Sequence, residues 1–407
     1  MSNNRQPEIR FPGFTEDWEQ RKLSDIADKA VDNRGKTPTI SEDGNHPLLE
    51  VASLGNGAPD YSKVTKYLSD ETFMAELRAY IKEGDILFST VGSIGLVSLM
   101  DTNENAAIAQ NIVAFRANEK YDSKFLYAML STKDNQHKAQ RIVMGAVQPS
   151  IKVSQLVDVD YCVTENMEEQ RKLGEYFLNL DNLITLHQRK LDLLKETKKG
   201  FLQKMFPKNG AKVPEIRFPG FTEDWEERKL VDIFKKDTQK NKDLEFHSDS
   251  VISVAKMKLS PPSAKSSDEY MKTYNKIRKG NVAFEGHTND EFPNGRFVLN
   301  DCQDGIVSHI YDVYSAVDEY NNEFMKRYIN NPDVMRKILI NATSSARMMK
   351  SLNSIEFLKQ SILLPILSEQ QKIGKFFYQL DNTITLHQRK LDLLKETKKG
   401  FLQKMFV

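Results

Sequence analysis

The sequence predicts a mixed α/β (α+β) fold, arranged as a tandem repeat of two halves that each contain a mixed α/β domain and a long helix. Two duplicated segments, and a shared pattern in the residues between them, support this prediction. The segment PEIRFPGFTEDWEQRKL, the first opener, occupies residues 7–23 and returns as the second opener at residues 214–230. Gln20, which becomes Glu227, is the only change. Such self-similarity indicates a repeat architecture.

The second duplication is a long closing segment. LDNLITLHQRKLDLLKETKKGFLQKMF, the first closer, covers residues 180–206 and reappears as the second closer at residues 380–406, with Leu183 replaced by Thr383. Nearly identical closers suit the binding of one kind of partner twice, whereas divergent domains suit two different targets. A recent duplication in which only the helices matter structurally is the alternative.

Each closer, with the residues before it, predicts one long helix that packs along an apolar seam. Seam residues recur at alternating steps of four and three from Leu173 to Met205, a length of about 50 Å. His187 and Lys198, both repeated in the second helix, are polar residues on this seam; the lysines either extend to solvent or, with the histidines, fix the register between helices. The seam residues singled out are Leu180, Ile184, His187, Leu191, Leu194, Leu380, Ile384, His387, Leu391 and Leu394.

The arms between openers and closers, at about residues 24–165 and 231–365, predict mixed α/β domains. In the first arm, GDILFSTVGSIGLVSL and NIVAFRA predict strands, whereas KFLYAMLSTKDNQHKAQ and KLSDIADK have helical spacing. IKEGDILF in the first arm parallels IRKGNVAF in the second, and AIAQNIVAF parallels GIVSHIYDV. The arms are therefore expected to share one skeleton and to carry different surfaces.

Four consecutive regions follow from these boundaries. They are the first opener and arm (residues 1–165), the first long helix (166–207), a linker with the second opener and arm (208–365), and the second long helix (366–407). Pro207 cannot continue a helix, and Asn209-Gly210 is a turn sequence within the linker. If the halves are related by a pseudo-two-fold axis, Val407 should approach the first opener near Pro7.

Composition limits the functional class. Of the 407 residues, 39% are hydrophobic and 28% are charged, as in a core-forming globular protein. The sequence has neither a signal-peptide pattern nor an apolar run of roughly 18 residues, which predicts a cytoplasmic protein. Cys162 and Cys302 are too few for a disulfide framework and are expected in the buried core. The net charge of +1 neither supports nor excludes a DNA partner.

The order of opener, arm and long helix, present twice, closely resembles the specificity subunit of type I restriction-modification systems. The resemblance covers essentially the whole chain, and its most specific elements are the Glu-Gln starts of the long helices, Glu169-Gln170 and Glu369-Gln370. It implies two α/β target recognition domains joined by two long antiparallel coiled-coil helices. Each arm would read one half of a split, non-palindromic site on double-stranded DNA.

The resemblance also implies partners and cofactors. Each long helix would hold one modification subunit, which uses S-adenosylmethionine to methylate adenine, and restriction (motor-nuclease) subunits that use ATP and Mg²⁺ would join the complex in host defence. The chain itself would be non-catalytic, with no cofactor, no metal ligand and no membrane partner. The alternative is a protein-only scaffold whose two divergent arms bind other proteins.

Recurrent loop motifs of the family indicate candidate DNA contacts. The first arm has RGKTP, GDILFSTVGSIG, AQN and GAVQPSI, whereas the second has FEGHTNDEFPNGRF and SSARMMKSLN in the places of the Gly-rich loop and GAVQPSI. A different half-site is implied for each arm. Polar and cationic loop residues suit phosphates and base edges. The candidates are Arg34, Lys36, Thr37, Thr90, Ser93, Gln110 and Gln148 in the first arm, and Lys256, Lys258, His287, Asn289, Arg296, His309, Arg347 and Lys350 in the second.

Enzymatic motifs are weak. AVDNRGKT matches a phosphate loop loosely, but no buried strand is predicted before it. SPPS has Ser263 where an amino-methyltransferase would stack an aromatic ring on the flipped base, and PDYSK lacks the second acidic residue of a nuclease site. The seven histidines form no i, i+4 pair that would favour a metal site. We therefore expect no catalytic residue in this chain.

Overall fold

The computed structural model describes residues 6–33, 38–55, 57–145, 149–208, 210–260, 267–345 and 349–407. The chain forms two compact units, of which unit 1 contains Met1–Lys190 with His387–Val407, and unit 2 contains Leu191–Leu386. Each unit thus has one opener, one arm and a part of both long helices. None of the helices in the described ranges combines the length and the apolar character needed to span a membrane.

The first arm alternates short strands and helices and leads into the first long helix. Its elements are β1 (Glu19–Lys22), α1 (Leu23–Ile26), β2 (Ala27–Asp32), β3 (His46–Leu49), β4 (Tyr67–Leu68), α2 (Asp70–Glu76), β5 (Ile86–Ser89), β6 (Val97–Leu99), β7 (Ala107–Ile108), β8 (Ile112–Ala117), α3 (Ser123–Leu130), α4 (Lys133–Gln140), α5 (Val153–Leu156), β9 (Asp160–Val163) and α6 (Met167–Lys204).

The second arm repeats this succession and ends in the second long helix. Its elements are β10 (Glu226–Lys229), α7 (Leu230–Ile233), β11 (Phe234–Asp237), β12 (Ile252–Ser253), β13 (Lys258–Leu259), α8 (Asp268–Met271), β14 (Asn275–Ile277), β15 (Val282–Glu285), β16 (Arg296–Leu299), β17 (Gly305–Val307), β18 (Val313–Ala316), α9 (Asn322–Tyr328), α10 (Pro332–Ala342), β19 (Thr343–Ser345), β20 (Lys350–Leu352), α11 (Ser354–Lys359), β21 (Ser361–Leu364) and α12 (Leu367–Lys404).

Each arm is built on a four-stranded antiparallel sheet. The strand order is β2-β8-β5-β6 in the first arm and β11-β18-β15-β16 in the second. All residues of β5 and β15 are buried, as their continuous apolar runs require. These two strands come from IKEGDILF and IRKGNVAF, the segments that match between the two arms, so the predicted common skeleton is confirmed. The predicted helix in KFLYAMLSTKDNQHKAQ is also confirmed, as α3 and α4 with a break at Thr132, which caps α4.

The helical prediction for KLSDIADK is wrong beyond its first turn. Leu23 and Ile26 lie in the single turn α1, but the chain then extends into β2, which pairs with β8. The pairing shifts register between Lys29 and Val31, so a bulge interrupts the alternation that would have indicated a strand. A second correction concerns Cys162 and Cys302, which the structure places at half-buried positions outside the fully buried core.

In unit 1 the two long helices run antiparallel. Residues further along α6 contact residues with lower numbers in α12. Phe177 packs on Phe406 with ring centroids 5.5 Å apart. Further along α6, Asp181 accepts a hydrogen bond from Lys398 Nζ at 2.5 Å. Leu180, Ile184 and Leu391 are buried at this seam, and Leu394 packs against the core of the unit.

The two seam histidines of unit 1 contact each other. The Nδ1 atoms of His187 and His387 are 3.0 Å apart, so one ring must donate and the other must accept. Burial lowers the pKa of His187, and the nearby charges of Lys390 and His387 lower it further. The lowered pKa favours the neutral form of His187, and a hydrogen bond between two Nδ1 atoms needs one ring with an unprotonated Nδ1, so this contact suits a role in fixing helix register.

Unit 2 repeats the antiparallel contact with the roles of the helices exchanged. Phe377 of α12 stacks on Phe206 of α6 with centroids 6.0 Å apart. Asp381 accepts hydrogen bonds from Lys198 at 2.7 Å and from Arg327 at 2.6 Å. In this unit Leu191 is buried, whereas Leu194, Leu380 and Ile384 are half-buried. In each unit a seam lysine pairs with an aspartate, so the register interpretation is the one that the geometry supports.

Each opener packs against the carboxyl-terminal end of a long helix within its own unit. In unit 1, Ile9 N donates to Lys404 O at 2.9 Å, and Trp18 lies edge-on to Phe406 with centroids 5.8 Å apart. Val407 packs against the same core, which confirms the expected approach of the chain end to the first opener. In unit 2, Ile216 N donates to Lys204 O at 2.9 Å.

Candidate nucleic-acid interface

The hairpin loop of the first arm, residues 90–96 between β5 and β6, has a conformation fixed by Ser89. The Ser89 hydroxyl donates to the Ser93 carbonyl at 2.6 Å and accepts from Leu96 N at 2.8 Å. Gly92 and Gly95 have φ values of +79° and +90°, which a residue with a side chain rarely adopts. The glycines and the serine therefore close this loop without using the side chain of Ser93, which stays exposed.

Loop motifs that are distant in sequence meet at this hairpin. Thr90 N donates to Asn111 O, in the AQN motif, at 2.9 Å. Ile151 N, at the end of GAVQPSI, donates to Thr90 O at 2.9 Å. Asn33, immediately before RGKTP, donates to Ile108 O at 3.0 Å. Asn111 and Ile151 thus meet the hairpin loop at Thr90, and Asn33 binds Ile108, which directly precedes AQN.

The second arm has the same relation between loops but different side chains. Lys350 N donates to Gly286 O at 2.7 Å, which ties the hairpin loop, residues 286–295, to the start of β20. A side chain at position 286 would collide with the Lys350 backbone, so glycine is needed there. Glu285, which is buried, occupies the place of Ser89 and accepts from Arg296 Nε at 2.8 Å.

Arg296 is held on three sides within the second arm. Besides the bond to Glu285, its Nη2 donates to Ala255 O at 2.9 Å, and the guanidinium lies over the Phe292 ring at 5.2 Å from the centroid. These contacts fix the plane of the guanidinium and, among the described residues, leave both N–H donors of Nη1 without a hydrogen bond. Arg296 therefore shapes the hairpin loop, and its contact with DNA stays a prediction.

The other candidates differ in accessibility. Thr90 is fully buried and its hydroxyl faces the Asn111 carbonyl at 3.3 Å, so it acts on loop geometry. The Oδ1 of Asn289 accepts a hydrogen bond from Phe292 N at 2.8 Å. Arg34, Lys36, Thr37, Gln148 and Arg347 lie outside the described residues. Lys350 is half-buried, and the exposed candidates are Ser93, Gln110, Lys256, Lys258, His287, Asn289 and His309. Their contacts with DNA stay predictions.

The Glu-Gln start of each long helix joins the arm and opener of its unit, a role that sequence reasoning missed. In unit 1, Arg10 binds the buried carboxylate of Glu169 through two hydrogen bonds. Gln170 Oε1 accepts from Asp122 N, the cap of α3, at 2.8 Å, and its Nε2 donates to Thr164 O at 2.8 Å. These bonds fix the first arm on α6.

Unit 2 repeats the same junction. Arg217 binds the carboxylate of Glu369 at 2.7 and 2.8 Å. Gln370 Oε1 accepts from Asn321 N, the cap of α9, at 3.0 Å, and its Nε2 donates to Pro365 O at 3.0 Å. The repeated Glu-Gln pair could have pointed to this role only if its partners, about 50 and 150 residues away, had been known.

The described residues contain no cluster of three or more side chains that could hold a metal ion. The aspartate of PDYSK, Asp60, accepts from Ser62 N at 3.2 Å and from the Ser62 hydroxyl at 2.6 Å. Those bonds, the one from the hydroxyl first, lower the pKa of Asp60. Asp60 thus caps a local turn. Ser263, in the SPPS motif, lies outside the described residues.

Comparison with known proteins gives consistent findings. The family described as "Type I restriction modification DNA specificity domain" matches twice, over residues 15–196 and 222–396. Two curated relatives from Methanocaldococcus jannaschii are similar: the type I restriction enzyme MjaVIII specificity subunit is 25% identical over 45% of this chain and 44% of its own length. The putative type I restriction enzyme MjaX specificity subunit is 29% identical over 52% of this chain and 51% of its own length.

The chain thus spans about half the length of these curated relatives. Among solved structures, the S subunit of a type I restriction-modification system from M. genitalium has a similar fold. The TM-score is 0.63 at 14% identity, and the alignment covers 99% of each chain. This likeness supports the fold, with two mixed α/β arms and two long helices.

Proposed function

Because the chain belongs to the family of type I restriction-modification DNA specificity domains, of which it contains two copies, we propose that it is the DNA-recognition and assembly subunit of a type I complex. Each arm reads one half of a split, non-palindromic site on double-stranded DNA. The chain is non-catalytic: methylation of adenine belongs to modification subunits that bind S-adenosylmethionine, and cleavage to restriction subunits that use ATP and Mg²⁺.

One observation carries this proposal. In both arms a backbone hydrogen bond ties the hairpin loop to a residue that follows the second helix after it, α4 or α10, from Ile151 to Thr90 and from Lys350 to Gly286. The side chains around that bond differ, with Ser89 in the first arm and the Glu285–Arg296 pair in the second. A conserved frame with unlike loop chemistry is what reading two different half-sites requires, since base edges differ in their donor and acceptor patterns.

The long helices supply the assembly role. Their closers differ at one position, Leu183 against Thr383, so they offer two nearly identical surfaces. The seam residues face the other helix within each unit, which leaves Leu186 and Leu386, 64% and 65% exposed, for contact outside the chain. Each helix holds one modification subunit in this proposal.

The test is to assemble the chain with its modification subunits and to map protected and methylated DNA. We expect sequence-dependent footprints and a bipartite methylated site. Replacing residues 231–365 with the second arm of another family member should change one half of that site. The matched control is Thr383→Leu, which makes the closers identical and should leave the site unchanged. Footprints without sequence dependence would instead favour a protein-only scaffold, and changes in both half-sites would contradict independent arms.

A further inference from the structure

A short helix of the first arm that sequence reasoning did not connect with DNA lies directly beside the hairpin loop. This helix, α4, contacts the loop through Gln136, whose Nε2 donates to Gly95 O at 3.0 Å. Asn135 and Ala139 turn inward and are buried, and Asn135 also donates to Met129 O at 2.9 Å. The inner face of α4 is therefore fixed, and its position relative to the hairpin loop is fixed with it.

The exposed side of α4 carries two cations, Lys133 and Arg141, with His137 between them and the acidic Asp134 beside Lys133. Lys133, His137 and Arg141 are exposed and follow one another at steps of four, so they line up along one side of the helix and its first following residue. Within the described ranges, neither Lys133 nor Arg141 has an ion-pair partner. Lys138, by contrast, lies over the Tyr161 ring at 5.5 Å from the centroid and does not belong to this row.

Cations elsewhere on the first arm often have local partners. Lys22 pairs with Asp158 at 3.0 Å, and Arg116 pairs with buried Asp85 at 2.7 Å. A row of cations without such partners, next to loops proposed to read base edges, has the charge and position to meet the phosphates that flank those bases. Arg141 also leads directly into the loop that reaches the hairpin at Ile151.

The second arm places α10 in the corresponding position. A cavity of about 280 Å³ lies between the hairpin loop and α10, with Phe292, Arg296, Met335 and Arg336 among its lining residues. Arg336 and Lys337 are exposed and, in the described part of the chain, have no ion-pair partner. The acidic Asp290 and Glu291 line the same cavity as Arg336, so acidic and cationic side chains share this surface.

We propose that the exposed cations of α4 and α10 bind phosphates and supply salt-dependent, sequence-independent affinity beside the base-reading loops. The inference rests on the proposed function and adds residues to it: Lys133 and Arg141 for the first half-site, Arg336 and Lys337 for the second. Phosphate contacts of this kind fix position on the duplex and carry no sequence information.

The experiment compares Lys133→Gln/Arg141→Gln with wild type in the assembled methyltransferase complex. Affinities are measured by fluorescence anisotropy between about 50 and 200 mM salt. One duplex carries the site that the complex methylates, in its unmethylated form, and the other carries a scrambled sequence. We expect both duplexes to bind more weakly, and the loss of affinity should be about twelvefold larger at the low end of that range than at the high end. The slope of log K against log salt should fall by about 1.8, since each neutralised phosphate contributes about 0.9. The methylated sequence should not change.

The matched control is Lys82→Gln/Lys120→Gln, which removes the same charge. Both lysines are exposed and lie where β5 begins and β8 ends, at the opposite end of the sheet from the hairpin loop. If the control and the α4 variant lose the same affinity and slope, the effect is one of net charge, and the inference is wrong. A changed methylated sequence would show that these side chains read bases, which also overturns it.

Arg336→Gln/Lys337→Gln tests the second half-site independently, and we expect the same decrease in the slope of log K against log salt. A protein that folds poorly is recognised from its unfolding midpoint, and phosphate-ethylation interference on the wild-type complex then decides the question without any variant. Ethylation beside both half-sites should block binding, and its failure to do so would exclude the phosphate contacts. If wild type itself binds without sequence preference, the proposed function fails, whereas sequence-specific binding with unaffected variants would refute only this inference.

Discussion

Arg10 donates two hydrogen bonds to the carboxylate of Glu169, from Nε to Oε1 at 2.5 Å and from Nη2 to Oε2 at 2.9 Å. Glu169 is fully buried at the start of α6, and the two residues are 159 positions apart in sequence. The hydrogen bond to Glu169 raises the pKa of Arg10 despite partial burial. This pair ties the first opener to the start of α6.

Arg10→Ala should strongly destabilise unit 1, because it leaves the Glu169 carboxylate buried without a partner. We expect the free energy of unfolding to fall by about 3–5 kcal/mol, measured by urea unfolding of the full chain. Arg10→Lys should cost less, since it keeps the charge but loses the two-pronged geometry. Arg21→Ala is the control: its partner Glu165 is 59% exposed, so the loss should be much smaller than for Arg10→Ala. Equal losses at the two arginines would contradict this.

Two pairs of helical glycines should respond oppositely to alanine. A Cβ at Gly174 would lie 2.6 Å from Phe125 N, and one at Gly374 would lie 2.9 Å from Phe324 N, where α3 and α9 pack on the long helices. Gly200 and Gly400 have open space around them. Gly174→Ala should lower the free energy of unfolding by about 1–3 kcal/mol, whereas Gly200→Ala should raise it by about 0.5–1 kcal/mol.

Thermal unfolding of the four single variants tests this contrast. The two duplicated positions within each pair should behave alike, because the same packing recurs in both units. Stabilisation by Gly174→Ala would show that α3 can move away from α6 at little cost, and that the close approach is not required.

The sequence was informative about elements and uninformative about their contacts. The duplicated closers and the run IKEGDILF predicted α6, α12 and β5, because local periodicity reflects which face is buried. The bond from Ile151 to Thr90 could not be predicted, since spacing does not specify which distant backbone groups meet. β2 was missed because its bulge breaks the alternation. The orientation of α4 could not be predicted either, because it depends on the contact between Gln136 and Gly95, which are 41 residues apart.

Acid should destabilise unit 2 in part through Asp381. Burial acts to raise the pKa of this carboxyl, but hydrogen bonds from Lys198 and Arg327 outweigh it, and the net pKa is lowered. A carboxyl with a lowered pKa in the folded state stabilises the protein above its unfolded-state pKa of about 4, and that contribution is lost as pH falls through the folded-state value. Asp381→Asn should therefore lower stability at pH 6 and make it less dependent on pH below about 4.

Urea unfolding followed by Trp225 fluorescence reports on unit 2, which contains this tryptophan in its core. Trp18 fluorescence in a Trp225→Phe background serves as the control for unit 1, whose acid response should be unaffected by Asp381→Asn. Parallel pH curves for wild type and Asp381→Asn would exclude the aspartate as a source of acid sensitivity.

The buried pair in unit 1 should be more costly to break than its counterpart in unit 2. The side chain of Asp181 is 0% exposed and that of Lys398 is 11% exposed, against 34% for Asp381 and 32% for Lys198. Asp181→Asn keeps an acceptor for the Tyr127 hydroxyl, which now bonds Asp181 Oδ2 at 2.7 Å, but removes the negative charge that lies 2.5 Å from Lys398 Nζ. We expect a loss of about 3 kcal/mol or more, because the change removes one charge of an ion pair in a poorly solvated seam.

Adding Lys398→Met should recover much of that loss, since an apolar side chain of similar length fits the seam and needs no counter-charge. The double-mutant cycle should give a coupling energy of up to about 3 kcal/mol in unit 1. The equivalent cycle with Asp381→Asn and Lys198→Met should give less, because water reaches that pair and Arg327 remains beside it. If both cycles gave the same coupling, burial would not be the factor that distinguishes the two lysine–aspartate pairs, and the unequal exposure of the seams would have no energetic consequence.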